Sequence, residues 1–418
     1  MSKLVSISSA ADLLGVSKDT LRRWEKKGLC QAQRTESGHR LFNIDDLHLL
    51  KAKITEPQIS RGFHVLSSEP RDYNVIELFS GSGGLALGLE NAGFKSELLV
   101  EIDKDSCQTL KNNRPLWNVV KDDIKNISFN KYQDKVDVVA GGFPCQAFSY
   151  AGKGLGFEDT RGTLFFEFAR CLQEVRPKIA IGENVKGLLK HDNGRTLKTM
   201  LNALEEIGYK SYFGILRAQF FDVPQKRERL IIIGIRKDLN IEARLPKEKN
   251  YILSLRDALE NCPNSVFTPY SPRKANFLKL IPPGGYWKDL PLEMQKEFMG
   301  VSFYRTGGRT GMARRLSWEE PSLTLTCSPS QKHTERCHPS ETRPLSVREY
   351  ARIQTFPDEW IFLGSTSSIY KQIGNAVPVN LGYHLGRTII AMLDENEGDR
   401  DNKKRAPREK KINKSELN

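Results

Sequence analysis

The stretch NVIELFSGSGGLALGLENAGF, residues 74–94, decides the fold. NVIELFS is an apolar run of strand length, GSGG turns the chain, and LALGLENAGF has helical spacing with a stop near Gly93. Strand, glycine turn and helix open a doubly wound α/β sheet, and glycines let backbone approach a ligand closely. Taken alone, GSGG also fits a plain tight turn. The next unit strengthens the ligand reading. SELLVEID is a second strand with Glu101 at its end, about twenty residues past the glycines, where an acid can accept hydrogen bonds from ribose hydroxyls. KDDI (121–124) follows, with Asp123 able to meet an adenine amino group.

VDVVAGG (136–142) is a further strand and delivers GGFPCQ to its carboxyl end, the edge where open α/β sheets bind ligands. Cys145 therefore stands where chemistry is expected. A thiol attacks as thiolate, and Pro144 restricts the backbone beside it, which suits a preorganised nucleophile. Three more blocks carry polar residues into the same setting. IAIGENVKGLL (179–189) is a strand ending in Glu183, Asn184 and Val185. FDVPQKRERLIIIGIR (221–236) places Arg227 and Arg229 just before an apolar strand. YKQIGNAVPVNLG (370–382) puts Asn375 and Pro378 ahead of an amphipathic C-terminal helix.

These blocks resemble the DNA cytosine-5 methyltransferase family, in that family's order, from about Asn74 to Leu393. The matching pieces are ELFSGSGG, VEIDKD, DDI, GGFPCQAFSYAGKGLGFEDTRGTLFFEF, ENVKGL, VPQKRER, RPLSVREYARIQTFP and IGNAVP. The resemblance implies that Cys145 adds to C6 of a flipped-out cytosine and that Glu183 holds N3 and the exocyclic amine. It implies that Arg229, with Arg227, contacts the cytosine carbonyl and neighbouring phosphate or thiolate. The implied cofactor is S-adenosyl-L-methionine. Phe79 would stack on its adenine, Gly81, Gly83 and Gly84 would shape the turn, Glu101 would hold the ribose and Asp123 the adenine amine. Ile124, Pro144, Asn375 and Val377 would complete that pocket. The glycine-rich loop with Gly152, Gly154 and Gly156 resembles the family's mobile loop.

The first seventy residues read differently. VSISSAADLLG (5–15) and DTLRRWEKKG (19–28) are two short helices with a tight turn between them, and the second is basic. That is a helix-turn-helix, whose second helix enters a major groove. ESGHRLFNIDDL (36–47) adds a turn at Gly38, a short strand over Arg40 to Phe42 and a third helix start. The run resembles MerR-type winged helix-turn-helix domains, which implies that Arg22, Arg23 and Arg40 contact DNA.

The expected architecture is a Rossmann-like doubly wound α/β methyltransferase domain with a smaller target-recognition domain and an N-terminal all-α winged helix-turn-helix domain. The expected boundaries are 1–55 for the helix-turn-helix, 56–72 for a linker, 73–240 and 343–396 for the catalytic domain, 241–342 for target recognition and 397–418 for a disordered basic tail. In the recognition segment Arg305, Arg309, Arg314 and Arg315 can pair bidentately with guanine, or equally contact phosphate.

Composition agrees with a nucleic-acid enzyme. The 418-residue chain has a formal net charge of +13, which favours a polyanion, most simply nucleic acid; the resemblance implies that this partner is double-stranded DNA. The cysteines, Cys30, Cys107, Cys145, Cys171, Cys262, Cys327 and Cys337, are odd in number and scattered, which argues against a disulfide framework. Cys327, His333, Cys337 and His338 have poor spacing for zinc, so no metal is expected. No apolar run is long enough for a membrane span, and the N-terminus lacks a signal-peptide core, so a cytoplasmic protein is expected. The expected function is sequence-specific DNA cytosine-5 methylation by a monomer, beside a cognate restriction endonuclease, with the N-terminal domain repressing its own promoter. The competing readings are a DNA-binding autoregulator and an RNA cytosine-5 methyltransferase.

Overall fold

The computed structural model describes residues 4–14, 16, 18–26, 30–35, 38–44, 46–47, 62–144, 163–304 and 309–405. The chain divides into two compact units, Met1–Arg61 and Gly62–Asn418.

The first unit begins with strand β1 (Leu4–Ser6), then helices Ile7–Leu14 and Lys18–Lys26, and closes with β2 (Ala32–Arg34) and β3 (Arg40–Asn43). β3 lies between β1 and β2 and is antiparallel to both, so the unit adds a three-stranded sheet to the all-α arrangement expected from sequence. Ala10 and Leu14 recur one helical turn apart, and with Leu21, Phe42 and Leu47 they form a small buried core. Trp24 packs against it from the face it shares with Leu21.

The second unit is built on β4 (Asn74–Leu78), β5 (Lys95–Glu101), β6 (Val119–Lys121), β7 (Val138–Gly141), β8 (Ile179–Val185), β9 (Tyr209–Arg217) and β11 (Glu228–Arg236). The sheet order is β6-β5-β4-β7-β8-β11-β9. The pairs from β6 to β8 are parallel, whereas β11 runs antiparallel to both β8 and β9. A separate parallel pair joins β10 (Gln225–Lys226) to β12 (Ser322–Leu323).

Both faces of the sheet are covered, and the alternation of side chains shows in the strands. Val75, Val138, Ala140, Ile179, Ile181, Ile231 and Ile233 share a core with Leu85 and Leu89 of helix Gly84–Ala92 and with Leu381, Leu385 and Ile389 of helix Val379–Arg405. Ile76, Leu78, Val139, Ala180, Leu230 and Ile232 face the other way, onto Phe165, Phe168 and Leu172 of helix Leu164–Val175 and Met200 and Leu204 of helix Arg195–Glu206. Each of the buried Val, Leu, Ile, Phe and Met side chains contributes roughly 1.5–3 kcal/mol. Helices Gly84–Ala92 and Val379–Arg405 cross in backbone contact, because a Cβ on Gly88 would lie 2.5 Å from the Val379 carbonyl oxygen and 2.7 Å from Gly382 Cα.

Two stretches differ from the expected boundaries. Residues 62–72, assigned to a linker, lie on the catalytic unit: the Leu66 N–H donates to Asn380 Oδ1 at 3.0 Å, and Ser68 Oγ bonds Tyr383 OH at 2.7 Å. The C-terminal helix runs to Arg405, into the basic tail. Within residues 241–342 a separate core forms from Phe277, Leu278, Ile281, Trp287, Leu290, Met299 and Met312. Among the described residues no helix is long and apolar enough to cross a membrane.

Candidate active site

The strand order reverses where β4 lies between β5 and β7, the switch point at which doubly wound sheets open a crevice. A cavity of about 990 Å³ occupies that crevice. Glu77, Phe79, Gly81, Gly84, Glu101, Pro144, Glu183, Arg227, Arg229, Asn375 and Val377 are among the residues that line it.

The turn after β4 is sharp. Phe79, Gly81 and Gly83 all have positive φ, at 59°, 52° and 89°. For a phenylalanine that conformation costs on the order of 1–3 kcal/mol, a strain typical of functional sites. Gly84 starts the following helix against the chain, since a Cβ there would lie 2.1 Å from the Val377 carbonyl oxygen. The carboxylate of Glu101 braces this turn. Its Oε2 accepts from the Gly81 N–H at 2.7 Å, and its Oε1 accepts from the N–H groups of Ile102 and Asp103 at 2.9 and 2.8 Å.

On the opposite wall, Arg229 at the start of β11 reaches Glu183 on β8, with Nε 2.7 Å from Oε1. Gly142 leaves room for the other oxygen, because a Cβ there would stand 3.0 Å from Glu183 Oε2. Asn184 Nδ2 donates to the Phe143 carbonyl at 2.8 Å, which ties the end of β8 to the loop after β7. The Phe143 ring packs on Phe165 and Phe168, with centroids 5.3 and 5.5 Å away. Pro144, the next residue, lines the cavity; Cys145 lies outside the described residues.

Arg227 is buried and donates to the carbonyls of Gly374 and Leu325 at 3.1 and 3.3 Å. Burial, and then Arg229 beside it, pull its pKa down to about 9. It therefore joins the GNAVP block and the 324–326 segment to the cavity wall. Cys327 Sγ donates to Asn375 Oδ1 at 3.2 Å on the same wall.

Other sequence-derived positions fall elsewhere. Gly83 does not line the cavity but packs beneath it, where a Cβ would meet Leu110 Cδ2 at 2.6 Å. Asp123 is also outside the lining; its Oδ1 accepts from the Lys125 N–H at 3.0 Å. Ile124 is buried in the core behind it. Arg315 corrects the expectation that it reads DNA. It is 3% exposed and donates to the carbonyls of Ile281, Leu278, His338 and Glu341. With its donors aimed at backbone carbonyls, it pins residues 278–341 from within. Arg314 is partly exposed, stacks over Tyr286 at 4.7 Å and donates to the Gly284 carbonyl. Arg309 lies over the Trp287 ring at 5.3 Å. Arg305 lies outside the described residues.

In the first unit Arg22 is exposed, and the Arg23 side chain is outside the description. Arg40 is paired with Glu25, which also holds Arg34 at 3.2 Å. Among the described residues no group of three or more His, Cys, Asp or Glu could hold a metal. His338 Nδ1 accepts instead from the Glu341 N–H at 3.0 Å.

The sequence reading passed over Glu77. In sequence it reads as part of an apolar strand, yet its carboxyl is buried in the cavity wall with no hydrogen-bond partner on Oε2. An acid inside an otherwise apolar strand was the available signal.

The cavity thus offers an aromatic face, a braced carboxylate, an orphaned buried acid, and a carboxylate–guanidinium pair beside a fixed proline. Known proteins resemble the chain in sequence and in fold. A family model described as C-5 cytosine-specific DNA methylase matches residues 73–391, and one described as MerR family regulatory protein matches residues 6–42. The Type II methyltransferase M.Eco47II of Escherichia coli is 55% identical over 409 residues, covering 93% of this chain and 96% of its own length. M.PspPI of Psychrobacter sp. (strain TA137) is 52% identical over 406 residues, with the same two coverages of 93% and 96%. A solved structure described as a DNA modification methyltransferase encoded within an E. coli prophage is 26% identical, with a TM-score of 0.58 over 77% of this chain and 100% of that one.

Proposed function

This chain belongs to the C-5 cytosine-specific DNA methylase family, the DNA (cytosine-5)-methyltransferases, and we propose that it works through a covalent bond between Cys145 and C6 of the target base. The observation that carries the reading is the Glu183–Arg229 pair, 2.7 Å apart in the same cavity as Pro144, the residue before Cys145.

Cytosine C5 is a poor nucleophile while the ring is aromatic. A thiolate at Cys145 would donate its electron pair to C6, and the C5=C6 pair would then make C5 reactive. Glu183 would hold N3 and the exocyclic amine, stabilising the charge that develops on the ring. Arg229 fixes the Glu183 rotamer through Oε1, and Gly142 keeps Oε2 clear. S-adenosylmethionine would supply an electrophilic methyl group and leave as a neutral thioether. Loss of the C5 proton to a base would restore the C5=C6 bond and expel the Cys145 thiolate.

The residues present suit such a cofactor. Phe79 would stack on the adenine, and Glu101 keeps acceptor capacity for ribose hydroxyls beyond the three N–H groups that it already accepts. Gly81, Gly84, Asn375 and Val377 shape the surrounding wall. The duplex must extrude the target base, which costs a few kcal/mol. In this reading the chain acts as a monomer in the cytoplasm, beside a restriction endonuclease that cuts the same site.

Methyl transfer from labelled S-adenosylmethionine to duplex DNA and to tRNA tests it. Label in duplex DNA is expected; label in tRNA alone would move the substrate to RNA, and label in neither would overturn the reading.

The match of residues 6–42 to the MerR family supports a second role, binding of the gene's own promoter by the first unit. Full-length Arg22→Ala is then expected to lose preference for that promoter in a mobility shift while still methylating DNA.

A further inference from the structure

Glu77 has no part in the chemistry above, yet its position is costly. It sits in β4 at the switch point, opposite Leu99 of β5 and Ala140 of β7. Its side chain is 4% exposed, forms part of the cavity wall, and leaves Oε2 without a partner. The charged groups that act on it are Glu101 at the end of β5 and Glu183 on β8, both acids. Arg229 is paired with Glu183, and the lysines of the lining, Lys104 and Lys371, form no ion pair with Glu77. Burial first, then the two acids, push the Glu77 carboxyl well above the ordinary range, so it keeps a proton that an exposed glutamate would lose.

A cation held beside the Glu77 carboxyl would favour its ionised form. The methyl donor carries a sulfonium, an ammonium and a carboxylate, whereas its thioether product lacks the sulfonium. We propose that Glu77 senses the charge of the methyl donor, releasing its proton when the sulfonium-bearing cofactor binds and regaining one when the sulfur becomes neutral. On binding, the Glu77 O–H bond breaks and the proton leaves to solvent. On methyl transfer, the S–CH3 electron pair stays on sulfur and a proton returns from solvent to the carboxylate. This inference rests on S-adenosylmethionine being the donor. It makes Glu77 a positioning residue that favours the donor over the product.

The sign follows from linkage. The free protein holds the proton and the donor-bound protein does not. Donor affinity therefore rises with pH between the two Glu77 pKa values, by up to about tenfold per pH unit. Affinity for the neutral-sulfur product stays flat over the same range.

Isothermal titration of the full-length protein with S-adenosylmethionine and with S-adenosylhomocysteine tests this, in two buffers of different ionisation enthalpy, from about pH 6 to about pH 9. The donor is expected to show a buffer-dependent enthalpy that reports proton release and the product is not. The donor-to-product affinity ratio should climb with pH, and Glu77→Gln should flatten it. If that variant does not fold, the buffer comparison on the unaltered protein still decides. Equal proton release for both ligands, or none for either, would overturn the sensor and leave the cofactor reading intact. Binding of neither ligand would overturn both.

Discussion

Glu183 Oε1 and Arg229 Nε lie 2.7 Å apart, and only 13% and 12% of the two side chains is exposed. The contact joins β8 to β11, where the sheet turns antiparallel. A charge-assisted bond in so dry a place fixes the carboxylate in one rotamer. Glu183→Gln keeps the shape and removes the charge. We expect methyl transfer to fall by roughly 10²–10⁴-fold while cofactor affinity, measured by calorimetry, is retained. Equal loss of both would contradict the role assigned to Glu183.

Arg315 and Arg314 are neighbours with different tasks. Arg315 holds backbone carbonyls of residues 278–338 from the interior, and its removal would orphan them. Arg315→Ala is expected to cost about 3–5 kcal/mol in denaturant unfolding. Arg314→Ala should cost much less stability and should weaken DNA binding instead, read by a filter-binding titration.

Gly88 stands where two helices touch backbone to backbone. A methyl group at 2.5 Å from the Val379 oxygen forces helices Gly84–Ala92 and Val379–Arg405 apart. Gly88→Ala is expected to lose more than the ~1–3 kcal/mol usual for overpacking, because the obstruction is main chain. The thermal midpoint would show it.

Asp222 is a buried acid at φ +55° that accepts from His384 Nε2 at 2.8 Å and pairs with Lys249 and Tyr251. Burial alone would raise its pKa, but the hydrogen bonds from His384, Lys249 and Tyr251 outweigh burial and hold the carboxyl well below the usual range. A depressed folded-state pKa stabilises the fold above the unfolded value of about 3.9 and is lost as pH falls toward the folded value. Acid is therefore expected to destabilise the native protein more steeply than Asp222→Asn, compared by denaturant unfolding at about pH 6 and about pH 3.

Much of the site was legible because its parts are local. Strand, GSGG and helix announce the switch point, and ENV and QKRER each end or begin a strand that carries its polar residues to one crevice. What escaped depends on packing at a distance. An arginine in a basic segment reads as a DNA contact until the fold closes carbonyls around it, as around Arg315. The reversal of β11 against β8 has no signature in an apolar run such as LIIIGI, which suits either direction.

The measurement that bears most directly on the central claim uses duplex DNA with 5-fluorocytosine in place of cytosine, incubated with S-adenosylmethionine and the full-length protein. Fluorine at C5 blocks the final elimination, so a thiolate that adds to C6 stays bonded. A protein–DNA complex that survives denaturing electrophoresis, depends on the cofactor and vanishes in Cys145→Ala is the predicted result. No complex from a protein that methylates ordinary DNA, or an undiminished complex from Cys145→Ala, would contradict the assignment of Cys145 as the nucleophile.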